Sequence, residues 1–266
     1  MTEPHLLAEI ADGVGTITFN RPEARNALST EMADLLIETT ARFERDSRVR
    51  CVLLRGAGDH YMAGGDVKRF HADLAADRAG HAEKLELRVV HIHQAIYQLR
   101  RMAKPVLVSI QGAAAGFGLS TALAADLAIA ADDAFFTLAY RHLGLSADGG
   151  ATYFLPRIVG ERRALEIALL GERFGTAKAL DFGILNWVVP RAELAAETAK
   201  LARALADGPT VAMAKAKQLI RASFESSWDE QSHREAESMA AAAATEDHLE
   251  GVTAFVEKRP PVFRGR

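Results

Sequence analysis

The chain has 266 residues, 49% of them hydrophobic and 25% charged, and its 32 Lys and Arg against 35 Asp and Glu leave a formal net charge of −3. That composition supports a full core and excludes disordered, collagenous and coiled-coil chains, while the mildly acidic balance argues against a nucleic-acid partner. No apolar run reaches the ~18 residues of a membrane helix, and the opening Met1-Thr2-Glu3-Pro4-His5 lacks the basic start and apolar stretch of a signal peptide, so the expectation is a cytoplasmic protein with no membrane partner.

In chain order, residues 6–10 and 15–20 read as two strands joined by the turn dipeptide Asp12-Gly13. Ser29 or Thr30 is placed to cap a helix running to about residue 45, on which Met32, Leu35, Leu36 and Phe43 recur at helical spacing. Residues 51–56 make a buried strand. It carries the single cysteine, Cys51, which excludes an intrachain disulfide and reads as an inert buried thiol. A helix over 81–102 follows, with Leu85, Val89, Ile92, Ile96 and Leu99 on one face, and stops before Lys104-Pro105. Strand 106–110 then runs through Gly112 and a small-residue segment into another helix, and strand 127–131 comes next. The repeated order of strand, Gly-containing turn and helix predicts a layered α/β core. From Glu161 onward the pattern is nearly all helical, broken at Gly160, Gly171, Gly183 and Gly208-Pro209, and reads as an appendage or interface rather than a second sheet domain.

Two loops that follow buried strands could carry chemistry: Met62-Ala63-Gly64-Gly65-Asp66 and Ala115-Gly116-Phe117-Gly118. Each sets backbone N–H groups near a helix start, where unpaired donors at the positive end can hold a developing oxyanion. The blander reading is that these glycines only permit tight turns or close packing. Neither loop has the Lys-Ser/Thr of a phosphate loop or dinucleotide-type glycine spacing, so nucleotide phosphate is not expected there.

The segments Asn20-Arg21-Pro22-Glu23-Ala24-Arg25-Asn26-Ala27-Leu28 and Ala63-Gly64-Gly65-Asp66-Val67-Lys68, then Lys104-Pro105, the run from Gly112 to Gly118 ending in Ala125-Asp126, and the tail from Glu250 to Phe263 together resemble the crotonase (enoyl-CoA hydratase/isomerase) superfamily from the first hairpin to the end. The resemblance implies an α/β, crotonase-like spiral of ββα units over residues 1–200, and a C-terminal helical trimerisation region over 201–266 that completes the CoA site. It also implies a homo-trimer or dimer of trimers, an acyl-CoA substrate, and no metal or redox cofactor, the coenzyme A being part of the substrate. By the same resemblance the thioester oxygen is held by the N–H groups of Gly65 and Phe117. CoA lies near Ala24, Arg25, Ala63, Gly64, Asp66, Val67 and Lys68, with Tyr140 lining the site and Phe255 and Lys258 supplied by a neighbouring subunit. Asp66 also reads as structural, fixing its own loop. Lys215, Lys217 and Arg221 could suggest the RNA binding of some superfamily members, but a solvated helix face explains them more simply.

Acid and base depart from the hydratase pattern. The two glutamates that handle water in enoyl-CoA hydratases are matched here by Ser120 and Tyr140, poor substitutes for moving protons at neutral pH. Instead Leu143-Gly144-Leu145-Ser146-Ala147-Asp148-Gly149-Gly150-Ala151-Thr152 is similar to the segment of ring-epoxide and Δ3,Δ2-enoyl-CoA isomerases in which the matching Asp moves a proton. The same position holds the nucleophilic Asp of the 4-chlorobenzoyl-CoA dehalogenase branch, but Tyr140 stands where that branch has a tryptophan. Asp148 could also merely cap a helix beginning at Gly149. His91 and His93, two apart on a helix, make a poor metal pair and read as surface or core histidines; His142 reads as a packing or surface residue. The expectation is an acyl-CoA isomerase with Asp148, Gly65 and Phe117 as its catalytic groups. An unusual hydratase, a thioester hydrolase or dehalogenase, and a non-catalytic CoA- or RNA-binding scaffold are the other readings.

Overall fold

The computed structural model describes residues 3–266. Its strands are β1 (Leu6–Ala11), β2 (Val14–Phe19), β3 (Cys51–Gly56), β4 (Val106–Ile110), β5 (Ala113–Ala115), β6 (Leu127–Ala131), β7 (Phe135–Thr137), β8 (Phe174–Gly175) and β9 (Trp187–Val189). The helices are α1 (Thr30–Arg45), α2 (Val67–Ala76), α3 (His81–Arg101), α4 (Phe117–Ala124), α5 (Ala151–Val159), α6 (Glu161–Leu170), α7 (Thr176–Asp181), α8 (Leu194–Asp207), α9 (Thr210–Ala222), α10 (Trp228–Ala243) and α11 (Glu246–Glu257).

The hairpin between β1 and β2 turns at Asp12 and Gly13, both at positive φ, as a two-residue hairpin turn requires. Ser29 caps α1 by accepting the Met32 N–H at 3.1 Å, and α1 buries Met32, Leu36, Thr40 and Phe43, one helical stripe. β2, β3, β4, β6 and β9 are parallel neighbours in a six-stranded sheet of order β1-β2-β3-β4-β6-β9, and β5, β7 and β8 form a second, three-stranded sheet. Every residue of β4 is buried, the mark of a strand covered on both faces. Cys51 is fully buried and its thiol is pushed up to about 12, chiefly by desolvation, so it is not a nucleophile at neutral pH.

The region from Glu161 onward is nearly all helical, as its pattern predicts, with two short exceptions: β9 returns to pair with β6 at the edge of the main sheet and β8 joins the small one. One reading within it needs correction. Lys217 and Arg221 are not on a solvated face: their side chains are only 9% and 15% exposed, and both are paired with Asp126, Lys217 Nζ at 2.8 Å. Asp126 also accepts the Val106 N–H at 2.7 Å, so this one carboxylate ties α9 to β4. Burial pulls the Lys217 ammonium down to about 8. Removing one partner from such a buried cluster typically costs about 3–5 kcal/mol, because the remaining charge is stranded. A cavity of 480 Å³ opens beside this cluster, lined by Arg100, Phe154, Ile184, Lys217 and Arg221, away from the glycine loops. Among the described residues no helix is long and apolar enough to cross a membrane.

Candidate active site

The two glycine loops are stitched together by backbone hydrogen bonds. Tyr61 donates to Gln111 at 2.8 Å, Met62 to Ala113 at 2.9 Å, and Ala115 back to Met62 at 2.9 Å. At the point of contact both loops need glycine. Gly64 has φ +99, and a Cβ there would lie 3.1 Å from the Ala115 carbonyl and 3.5 Å from the Gly116 Cα, while Gly116 itself has φ +50. On the far side, Leu28 donates to the Gly64 carbonyl at 2.8 Å and Ala63 to Arg25 at 2.9 Å. The buried Asn26 side chain braces this strand by donating to the carbonyls of Ala57 and His60 at 2.9 and 2.7 Å. Among the described residues no backbone acceptor takes the N–H of Gly65 or of Phe117. Phe117 is the first residue of α4, so its N–H is an orphan of helix geometry at the positive end. The side chain of Phe117 is 2% exposed and lies against Gly149.

Asp148 enters from the segment between the 3₁₀ turn Tyr140–Leu143 and α5. It does not cap a helix. α5 begins at Ala151 with Gly150 at the cap position and no side-chain cap bond. The Tyr140 hydroxyl donates to Asp148 Oδ1 at 2.6 Å, and Ser120 Oγ lies 3.3 Å from that hydroxyl and donates to the Asp148 carbonyl at 2.9 Å. Ser120 and Tyr140 thus both grip Asp148. Desolvation raises the Asp148 carboxyl above the ordinary carboxylate range, opposed by the Tyr140 hydrogen bond. The Tyr140 phenol is pushed up strongly by its own burial and by the Asp148 charge, so the proton between them stays on the phenol and Tyr140 is excluded as a base near neutrality. His142 turns away, its Nε2 lying 3.1 Å from the Gly171 carbonyl.

Tyr140→Phe tests this balance. Losing the hydroxyl removes a bond that favours the carboxylate, so the Asp148 pKa rises further. For a reaction in which Asp148 is the base, the acid limb of a kcat against pH profile is expected to move to higher pH, because a base works only when ionised. An unmoved limb would take Asp148 or Tyr140 out of the titration.

The residues expected around CoA are spread over three places. Ala24 and Arg25 end a 3₁₀ turn, with Arg25 exposed at φ +52. Asp66 caps α2 through the Arg69 N–H at 3.2 Å and pairs with Arg21 at 3.2 Å, while Val67 and Lys68 open that helix and are exposed. Phe255 is 86% exposed near the end of α11, where Lys258 is the left-handed cap. One neighbour of Asp148 was not legible in the sequence: His93 of α3, whose Nε2 accepts the Gly149 N–H at 3.1 Å. Its spacing from His91 signals only that the two face apart, and nothing local marks a contact across 56 residues.

Residues 9–266 match the family model for enoyl-CoA hydratase/isomerase. The chain is 38% identical over 262 residues to 1,2-epoxyphenylacetyl-CoA isomerase of Escherichia coli strain K12, covering 98% of each. It is 35% identical over 209 residues, 79% of this chain and 75% of the other, to 4-chlorobenzoyl coenzyme A dehalogenase-2 of an Arthrobacter species. A solved enoyl-CoA hydratase from Polaromonas sp. JS666 superposes with a TM-score of 0.91 at 30% identity, over 97% of this chain and 99% of that one. The crotonase architecture expected from the motifs is thereby shown, and with the match running from the first hairpin to the last residue, the chain belongs to the enoyl-CoA hydratase/isomerase family.

Proposed function

We propose that the protein isomerises an acyl-CoA thioester, by double-bond or ring rearrangement, with Asp148 as the acid/base and the N–H groups of Gly65 and Phe117 as oxyanion donors. The observation that carries this reading is the setting of Asp148: its carboxyl is partly buried, raised in pKa by that burial and held by the Tyr140 hydroxyl at 2.6 Å with Ser120 beside it, and the motif resemblance puts Ser120 and Tyr140 at the places of a hydratase's paired glutamates. For a 3-enoyl-CoA, Asp148 takes a proton from C2 as the thioester becomes an enolate whose oxygen lies on the two N–H groups. The electron pair shifts along C2–C3–C4, and the same carboxyl returns the proton at C4, leaving a 2-enoyl-CoA. Atoms and charge balance with no added reactant. One oxyanion donor is worth ~2.7–4 kcal/mol and one positioned base ~10²–10⁴-fold, so this division of labour suffices for a proton shift. Adding water asks for a second group to orient and activate it, and Ser120, already bonded to the Asp148 carbonyl, is not a base.

The test is a turnover screen of 3-enoyl-, 2-enoyl- and aryl acyl-CoA thioesters with product identification. Isomerisation of a 3-enoyl-CoA is expected, with hydration of crotonyl-CoA slower by ~10²-fold or more. Hydration as fast as isomerisation would make the chain a hydratase, and CoA binding without turnover of any thioester would favour a scaffold.

We also infer a homo-trimer or dimer of trimers in which Phe255 and Lys258 reach the CoA of a neighbouring copy. Trp228, Met239, Leu249, Phe255 and Val256 on α10 and α11 are 69–86% exposed in the single chain, and large apolar side chains left open on two consecutive helices suit a subunit interface. Sedimentation at micromolar concentration checks it: trimers or larger are expected, and truncation after Glu250 is expected to weaken both assembly and CoA affinity. A fully active monomer would overturn it.

A further inference from the structure

Tyr140 grips Asp148 Oδ1 and Ser120 the Asp148 main-chain carbonyl, and both come from the α4 and small-sheet side of the site. The next residue, Gly149, stands at φ +61 and is buried against that same side, where a Cβ would come within 2.7 Å of Ser120 Cβ and 2.9 Å of the Phe117 ring. Its N–H points to a different element, at His93 Nε2 3.1 Å away. His93 is delivered by α3, a helix of 21 residues whose position is set elsewhere, by Ile92, Ala95, Ile96 and Leu99 packed into the core.

We propose that His93 is a positioning residue for Asp148: by accepting the Gly149 N–H, its Nε2 ties the backbone of the acid/base loop to α3, a hydrogen bond that neither Tyr140 nor Ser120 supplies. The ring can do this only as the neutral tautomer that carries its proton on Nδ1, because a protonated Nε2 has no lone pair to offer. His91, two residues earlier, has a different task; its Nε2 lies 2.7 Å from Asp34 of α1. The inference rests on the isomerase reading with Asp148 as its base, and it adds a requirement that this reading alone does not make.

Two measurements test it on the full-length protein. Imidazole ¹⁵N shifts at pH 8 read the tautomer directly: His93 is expected as the Nδ1–H form, and an Nε2–H form would overturn the proposal without any assay of activity. Kinetics supply the second arm. With a 3-enoyl-CoA, His93→Leu removes the acceptor and is expected to lower kcat by ~10–100-fold with KM within about twofold, since the N–H anchor affects the base and not CoA binding. His93→Gln keeps an acceptor oxygen and is expected to stay within about threefold of the parent. Equal losses in both variants, or a loss confined to KM, would reduce His93 to packing. Asp148→Asn is run beside them. If it keeps full turnover, the reading of Asp148 as base has failed; if it is inactive while His93→Leu is fully active, only the role given to His93 has failed.

Discussion

Asp148→Asn is expected to lower turnover of a 3-enoyl-CoA by ~10²–10⁴-fold while shifting thermal unfolding by little. The asparagine amide is nearly isosteric and its carbonyl oxygen can still accept from the Tyr140 hydroxyl, the 2.6 Å bond that orients the native carboxylate. What the substitution removes is the ability to bind and release a proton. Because α5 takes no side-chain cap from Asp148, a loss of activity cannot be assigned to a frayed helix. The measurement pairs turnover and unfolding with exchange of the substrate's α-protons into deuterated water, which reads proton abstraction even where the product is not released. A stable Asn variant with undiminished turnover and exchange would deny Asp148 any part in the chemistry.

Phe117→Pro is expected to cost ~10²–10³-fold in kcat, against a smaller loss in Phe117→Ala. Phe117 is the first residue of α4, the helical position that tolerates proline because its N–H has no intrahelical partner. The proline therefore deletes one donor with little harm to the helix. The alanine control matters because Phe117 is 2% exposed and its ring packs on Gly149, so either replacement disturbs packing beside Asp148. The ratio of the two kcat values isolates the N–H. A folded proline variant as active as the alanine variant would show that the oxyanion is held by something else.

How much of this was legible in the sequence depends on the range over which each signal acts. The first hairpin, α1 with its Ser29 cap, and α3 are written in local spacing and turn chemistry, and they stand where the residues predict. The fold as a whole, and the position of Asp148, came from motifs resembling a family, because no periodicity says that Leu28, Gly64 and Gly116 meet. The charged stripe of α9 misled for the same reason. Lys217 and Arg221 read as solvent-facing until Asp126, 91 and 95 residues away, is seen between them. β9, three residues long, is too short for alternation to show. His93 needed the third dimension: a histidine on an amphipathic helix has many ordinary uses, and only the Gly149 N–H gives it another.

The crowding around Ser120 bears on how such sites diverge. Its side chain is fully buried, its Oγ is committed to the Asp148 carbonyl, and its Cβ sits 2.7 Å from where any side-chain carbon on Gly149 would stand. A glutamate at position 120 is larger by three heavy atoms and would claim volume now occupied by Tyr140 and the segment bearing Asp148. On the proposed reading a second carboxylate at position 120 and the present seat of Asp148 therefore compete for one space, so Ser120→Glu is expected to displace the 140–150 segment rather than add a second acid to an unchanged site.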